Sequence, residues 1–557
     1  MKMIFQNKYN IFKNDILKIR KIYINKMCGI FGLISKTKKY SSTEIMQQFD
    51  KTSSRGPDCS KCSFNYNDVY SYGFHRLCVN DLSYNGNQPF ESKNVSMMCN
   101  GEIYNHKKLK EDHDVFSQSD SDCEVILHLY EKNECVDFIN KLDGVFAFSI
   151  YDRQNNKLYL GRDRIGVRPL FYRYDTDMNI CFASEAKSIN YFKFGNIQEV
   201  PPAHYIEFDL NNLTVGIVKY YNLPLTPSNE TSSNVSKKLR TLLESAVEKR
   251  MMSDRQIGCL LSGGLDSSVI ASILQKKSSV PIKTFSIGFS ESTDLKYARK
   301  VAEHIGSDHH EIILSYEEAI KRIPEVIRKI ETYDITTIRA STGMYLLAEY
   351  IKNNFEEVVI FSGEGSDELL AGYLYFHYAP NKEELFKECR RLVTELSIYD
   401  VLRADRTTAA HGLELRVPFL DNYFLQYCMS LDGDLRKPVN NFEKYYLRKA
   451  FENEIPDEVS WRRKEGFSDG VGGLEKPWYV HIQEWIEENN IITDDQLKVF
   501  NQAFNNKFIS KESLYYYIEY KKHYEHHLLP DYWMPKWQTA NDPSGRAMPV
   551  FNNSETN

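Results

Sequence analysis

The stretch Cys259-Leu260-Leu261-Ser262-Gly263-Gly264-Leu265-Asp266-Ser267-Ser268 decides the fold of the larger half of this chain. The apolar run Ile257 to Leu261 predicts a short buried strand. Ser262, Gly263 and Gly264 make a tight turn, and Val269-Ile270-Ala271-Ser272-Ile273-Leu274 starts a helix. A strand, a glycine turn and a helix N-terminus together form an anion site. Glycines let backbone N–H groups approach, and the helix dipole favours negative charge. Ser262 and Ser267 add hydroxyl donors, and Asp266 is placed to hold Mg²⁺ between phosphate oxygens. A lone glycine pair would read as a plain connection. The added Asp and hydroxyls fit a phosphate cradle, although the Lys-Ser/Thr of a Walker motif does not follow the last glycine.

Ser-Gly-Gly-Leu-Asp-Ser-Ser resembles the PP-loop of ATP pyrophosphatases, enzymes that transfer AMP to an acceptor and release pyrophosphate. The surroundings fit a parallel sheet. A helix over 235–250 precedes the strand, and strands at 282–287, 311–314 and 358–361 alternate with helices. From Lys382 onward the pattern is mostly helical. Val358-Val359-Ile360-Phe361 runs into Ser362-Gly363-Glu364-Gly365-Ser366-Asp367-Glu368, a second strand followed by a glycine turn. In an open parallel sheet ligands bind at the carboxyl ends of strands, so the two turns are expected to face one crevice. Ser362 and Gly363 then contact the nucleotide. Glu364 is a carboxylate beside phosphates, which calls for a metal, a cationic substrate group or a proton to take; capping a helix start is the plainer alternative. Thr336-Thr337-Ile338-Arg339 and the cationic run Arg462-Arg463-Lys464 add hydroxyls and charge suited to a pyrophosphate leaving group, or, for the run, to a solvated face.

Residues 28–223 read differently: many short strands and few helices, as in stacked sheets with helices outside. The polar run Pro224 to Asn234 separates them from residues 235–537 as a linker, and 538–557 read as a loose tail. Met27-Cys28-Gly29-Ile30-Phe31-Gly32 resembles the start of class II glutamine amidotransferases. A thiolate attacks an amide carbonyl well, and Arg55-Gly56-Pro57-Asp58, His75-Arg76-Leu77 and Asn100-Gly101-Glu102-Ile103-Tyr104-Asn105 follow. Arg76 is suited to clamp the α-carboxylate of glutamine, and Glu102 and Asp122 to hold its ammonium. The Asn100 side chain and Gly101 N–H form an oxyanion hole.

Taken together, the motifs from Cys28 nearly to Met548 resemble the glutamine-hydrolysing asparagine synthetases of bacterial and plant type. Glu331-Thr332-Tyr333-Asp334, Gly372-Tyr373-Leu374-Tyr375-Phe376-His377, Arg416-Val417-Pro418-Phe419-Leu420-Asp421 and Asp542-Pro543-Ser544-Gly545-Arg546-Ala547 belong to the same set. The resemblance implies an N-terminal nucleophile αββα sandwich followed by a PP-loop α/β domain. It implies glutamine hydrolysis at Cys28, internal transfer of ammonia, and attack of aspartate on ATP to give β-aspartyl-AMP. It places glutamine at Arg76, Leu77, Cys78, Val79, Asn80, Asn100, Gly101, Glu102 and Asp122. ATP falls at Leu260, Ser262, Gly263, Gly264, Asp266, Ser267, Ile287, Ser362, Gly363 and Lys464. Glu364 would serve the acyl-adenylate, Thr336, Arg339 and Asp367 the aspartate and pyrophosphate sites, and Asp266 with Asp367 the Mg²⁺. Two departures stand out: Cys78 and Asn80 replace the family's usual Ser and Val, and Ser54 its usual His. An amidotransferase adenylating another carboxylate, as the β-lactam synthetases do, remains the chief rival. A PP-loop RNA-modifying enzyme and a catalytically dead interaction protein are the others.

Composition narrows the field. At 557 residues the chain exceeds one core, its net charge of −6 shows no basic stripe for nucleic acid, and no apolar run reaches membrane length. Eleven scattered cysteines favour a reducing cytosol over a disulfide framework, and Cys59 and Cys62 read as chance spacing in a loop rather than half a zinc site. A homodimer is the expected assembly. Residues 1–27 are Lys-, Ile- and Asn-rich with a single acid, Asp15. The working enzyme is expected to begin at Cys28, because only a free α-amino group, with a pKa of about 7.7–8.0, gives the thiol a base.

Overall fold

The computed structural model describes residues 28–545 apart from 57, 65–69, 134–135, 229, 474–475, 506, 527–530 and 538–541. The expected leader, most of the expected tail, Pro57, Arg546, Ala547 and Met548 lie outside the described residues.

Two antiparallel six-stranded sheets build the N-terminal half. One runs in the order β10 (Gln198–Glu199), β8 (Phe171–Tyr174), β9 (Ile180–Ala183), β1 (Gly29–Ile34), β3 (Tyr70–Arg76), β2 (Cys59–Ser63). The other runs β12 (Thr214–Lys219), β11 (His204–Asp209), β7 (Lys157–Arg162), β6 (Gly144–Asp152), β5 (Val95–Ile103), β4 (Phe90–Glu91). Successive side chains on a strand point to opposite faces, so each sheet is apolar on both. Ile30, Phe74, Met98, Leu160, Phe182 and Ile206 pack between the sheets. Phe31 and Leu33 face outward onto Ile45 and Phe49 of the helix Ser42–Phe49. On the far side Met97, Cys99 and Phe148 meet Val125, Ile126, Leu129 and Tyr130 of the helix Val125–Asn133. The result is the αββα sandwich that the resemblance implies.

The second half is built on a five-stranded parallel sheet ordered β15 (Asp308–Leu314), β14 (Lys283–Phe289), β13 (Ile257–Leu260), β16 (Val359–Phe361), β17 (Glu414–Arg416). Helices Leu265–Lys277, Thr293–Ile305 and Ile335–Asn354 connect the strands. The helix preceding the sheet spans Ser232–Lys249, so it starts inside the expected linker, where the Ser228 N–H also donates to the Ser430 carbonyl at 2.7 Å.

Some strands carry no apolar signature. β17 holds Glu414 and Arg416, both buried; Arg416 Nε donates to Glu414 at 2.8 Å and Nη2 lies 3.3 Å from Glu102. Charge pairing lets that strand sit in the interior. Cys59 and Cys62 belong to β2, an edge strand, not to the loop that their spacing suggested.

The halves meet through Leu77, Val79, Val145, Ile165 and Val167, which join the core of the second half. Buried ion pairs cross the same boundary: Arg55–Asp405 at 2.9 Å and Arg168–Asp405 at 3.0 Å. Glu331 pairs with Arg406 at 2.7 Å and accepts from the Ala186 and Lys187 N–H groups at 3.0 and 2.8 Å. Each of these three guanidinium groups has a carboxylate, and Asp405 serves two of them, so removing Asp405 would leave two buried cations short of a partner.

Candidate functional site

Two sites form, one in each half. Cys28 immediately precedes β1, and its Sγ meets the backbone of Leu77: the thiol donates to the carbonyl at 3.6 Å and accepts from the N–H at 3.3 Å. Arg55 Nε donates to the Cys28 carbonyl at 2.9 Å while its other nitrogens reach Glu185 and Asp405. Burial pushes the Cys28 thiol up, so it needs a base to become a thiolate.

Asn100, Gly101 and Glu102 lie on β5. The Asn100 amide nitrogen is buried and has no hydrogen-bond partner among the described residues. Gly101 has φ +151°, and a Cβ there would stand 2.1 Å from the Val145 carbonyl oxygen; only glycine lets β5 pass. Asn80 Nδ2 donates to Glu102 and lies 3.4 Å from Asp122. Asp122 accepts the Ile103 N–H at 2.6 Å. Burial and then the neighbouring Asp122 hold Glu102 well above the usual carboxylate range, against the pull of Arg416; burial also raises Asp122. Arg76, at the end of β3, is turned into the loop that follows. Its Nη1 donates to Ser83 O at 2.7 Å and Asn87 Oδ1 at 2.9 Å, and its Nη2 to the Asp81 carbonyl. The backbone of Cys78 and Val79 is tied across the boundary: Arg255 Nε donates to Cys78 O at 2.8 Å, and the Asp254 N–H to Val79 O at 2.9 Å.

In the second half β13 and β16 are adjacent and parallel, so both glycine turns emerge at one edge. They nearly touch: a Cβ on Gly363 would lie 2.9 Å from Ser267 N. Gly263 has φ +69°, and a Cβ there would come within 2.3 Å of Ala298 N. Ser262 N–H donates to Ser267 Oγ at 3.2 Å and Gly264 N–H to Ser262 Oγ at 3.3 Å, fixing the loop ahead of the helix Leu265–Lys277. Leu260, Ser262, Gly264, Asp266, Ser267, Ile287, Thr336, Ser362, Gly363, Glu364, Asp367 and Lys464 line one cavity. Gly263 and Arg339 do not line it; Arg339 is buried against Glu512 and Asp542.

Asp266 and Asp367 are bridged by lysines. Lys444 Nζ lies 2.6 Å from each carboxylate, and Lys464 lies 2.6 Å from Asp367 and 3.7 Å from Asp266. Burial opposes ionisation of Asp367, but Lys444 and Lys464 outweigh it and hold its carboxyl at about 2. Gly372 makes room for this cluster, since a Cβ there would stand 2.0 Å from Lys444 Cε. Glu364 is gripped by Arg403 at 3.1 and 2.6 Å, and Arg403 also reaches Asp400 at 3.1 Å. Arg462 donates to the Gly263 carbonyl at 3.3 Å, so the cationic run faces the cavity rather than solvent. Lys444, Arg403 and Asp400 carry no local sequence signal; the fold brings them from more than 30 residues downstream of the turns they serve.

A buried thiol on an αββα sandwich and a strand-end cavity with two glycine turns on a parallel sheet define the architecture of an amidotransferase fused to a PP-loop synthetase. The glutamine amidotransferase domain model matches residues 27–207, and the asparagine synthase family model matches 238–392 and 379–537. Glutamine-hydrolysing asparagine synthetases of Homo sapiens, Bos taurus and Gallus gallus are each 45% identical to this chain, across 94% of it and 98% of their own length. The chain belongs to the glutamine-hydrolysing asparagine synthetase family. Among the described residues no helix is long and apolar enough to cross a membrane.

Proposed function

We propose that this chain makes asparagine from aspartate with ammonia released from glutamine, through β-aspartyl-AMP, splitting ATP to AMP and pyrophosphate. The observation that carries the reading is the meeting of two glycine turns at the ends of β13 and β16, on one cavity, in a chain that also presents a buried thiol beside an unpartnered amide donor.

In the first half Cys28 attacks the glutamine carboxamide, Asn100 Nδ2 and the Gly101 N–H receive the oxyanion, and Glu102 with Asp122 hold the ammonium. Arg76 orders the loop after β3 through both of its Nη groups, which leaves Nε alone for the α-carboxylate in place of the bidentate clamp expected from the sequence. The base is the α-amino group of Cys28, so the working chain begins there and the 28–223 and 235–537 regions act as separate functional domains. In the second half Ser262, Gly264 and Ser267 cradle the phosphates and Leu260 and Ile287 flank the base. Asp266 and Asp367 would supply oxygen ligands of the kind Mg²⁺ prefers, at a cavity wall where Lys444 and Lys464 hold Asp367 low against burial; the ion, when bound, would neutralise phosphate charge. Lys444 and Lys464 line the same cavity and supply positive charge for the phosphates. Glu364, oriented by Arg403, takes the proton as ammonia resolves the acyl-adenylate. The cysteines among the described residues are free, in keeping with a reducing cytosol; sedimentation would decide whether the chain is a homodimer.

The direct test supplies glutamine, aspartate and MgATP and follows AMP, pyrophosphate and asparagine. Asparagine formed in step with AMP is the expected result. AMP release driven by another carboxylate but not by aspartate would replace this reading with that of the β-lactam-synthetase-like rival. A native chain found to start ahead of Cys28 and hydrolyse glutamine at full rate would remove the α-amino base.

A further inference from the structure

Arg339 stands one turn into the helix Ile335–Asn354, whose Thr336, Thr337 and Ala340 face the nucleotide cavity. Its own side chain leaves in another direction. Nε and Nη2 donate to Glu512 at 2.8 and 2.6 Å, and Nη1 and Nη2 donate to Asp542 at 2.8 Å each. A guanidinium has five N–H donors. With two carboxylates engaged, this one has no open fork for a substrate carboxylate.

What it holds instead is the segment Asp542–Gly545. Gln483 Nε2 also donates to Asp542, at 3.2 Å. Two residues on, Ser544 Oγ and the Gly545 N–H donate to Asp469 at 2.6 and 3.0 Å. Asp469 belongs to the turn Phe467–Gly470, close behind Lys464, and lines the cavity. Pro543, Ser544 and Gly545 line it too. The segment is thus pinned at both ends by charge, and its donors occupy a carboxylate that would otherwise face an anionic ligand.

We infer that Arg339 is a positioning residue that seats Asp542–Gly545 as a wall of the cavity, and that this wall sets how tightly aspartate and ATP are held. The inference rests on the reading of that cavity as the adenylation site. It differs from the role that the family resemblance implies, in which Arg339 meets substrate or pyrophosphate itself.

The experiment follows pyrophosphate release against aspartate and ATP, with glutaminase activity measured in parallel. Arg339→Ala and Asp542→Ala should each raise KM for aspartate about tenfold with a smaller change in kcat, and the double variant should be no worse than the worse single one. Arg339→Lys should recover part of the loss. Ser544→Leu, which keeps Arg339 on Asp542 and the Gly545 N–H on Asp469 but loses the Ser544 hydroxyl bond, should raise KM with a smaller drop in thermal midpoint than Asp542→Ala, a split that a purely structural role would not produce. Glutaminase rates should not move. Should Arg339→Ala fail to fold, Asp542→Ala and Ser544→Leu carry the test between them. A silent Asp542→Ala beside an inactive Arg339→Lys, or losses that add in the double variant, would overturn the inference and return Arg339 to direct contact. A parent chain that releases no pyrophosphate would overturn the functional reading first.

Discussion

Glu102 and Asp122 stand near Cys28 with one amide, Asn80, between them; Asp266 and Asp367 stand at the PP-loop with two ammonium groups between them. The first pair is short of positive charge: burial raises both carboxyls, and the pull of Arg416, at 3.3 Å, on Glu102 does not offset it. The second pair has its cations built in, and Asp367 is held at about 2. On the proposed function the difference follows from the ligands. Glutamine brings an ammonium, so its pocket can leave carboxylates waiting. ATP brings only negative charge, so its pocket must contain the countercharge before the ligand arrives.

The sharpest way to break the comparison is to disable one half and leave the other. Cys28→Ala should abolish glutamine-dependent synthesis, on the order of 10⁴-fold or more, while ammonia-dependent synthesis continues. Asp266→Ala should do the reverse, stopping pyrophosphate release with glutaminase intact. Loss of both activities in either variant would show that the halves work only as one unit.

Lys444→Met tests whether the built-in cations matter. It keeps length, removes the charge that lies 2.6 Å from both carboxylates, and should cut pyrophosphate release by about 10²–10³-fold with glutaminase unchanged. Normal release would mean that Lys464 suffices. On the other side, Glu102→Gln keeps shape and removes a waiting carboxylate. KM for glutamine should rise about tenfold, with little change in ammonia-dependent synthesis; an unchanged KM would take Glu102 out of ammonium binding.

The smallest effect concerns a carboxyl that neither pair uses. Burial, opposed by Arg462 at 3.4 Å and aided by Glu465, pushes Asp294 up to about 7. Between the ordinary 3.8 and that value the unfolded chain has lost a proton that the folded chain keeps, so stability falls as pH rises through the window and stays lower above it. Asp294→Asn does not titrate. Its thermal midpoint should gain on the parent's from about pH 5 to about pH 8, and a constant gap would show that Asp294 is ionised throughout.

Both glycine turns, the crevice they share and the thiol start were legible in the sequence because each is a local pattern: an apolar run of strand length, then glycines, hydroxyls and acids at fixed offsets. The strands β13 and β16 emerged within a residue or so of their expected limits for the same reason. β17 was not legible as a strand. Its Glu414 and Arg416 read as surface, and only pairing with each other and with Glu102 makes them core.

The sequence alone determined the chemistry on offer: a thiol, an amide beside a glycine, two glycine turns with hydroxyls, and a supply of carboxylates and cations. Tertiary structure decided which charges meet. Lys444 lies 178 residues beyond Asp266, yet holds it at hydrogen-bond distance; Asp542 lies 203 residues beyond Arg339, yet takes its guanidinium away from the cavity. A side chain's charge is written in the sequence. Its partner depends on which surfaces fold against each other, because the low-dielectric interior makes an unpaired charge too costly to leave and so ties residues that no local pattern connects.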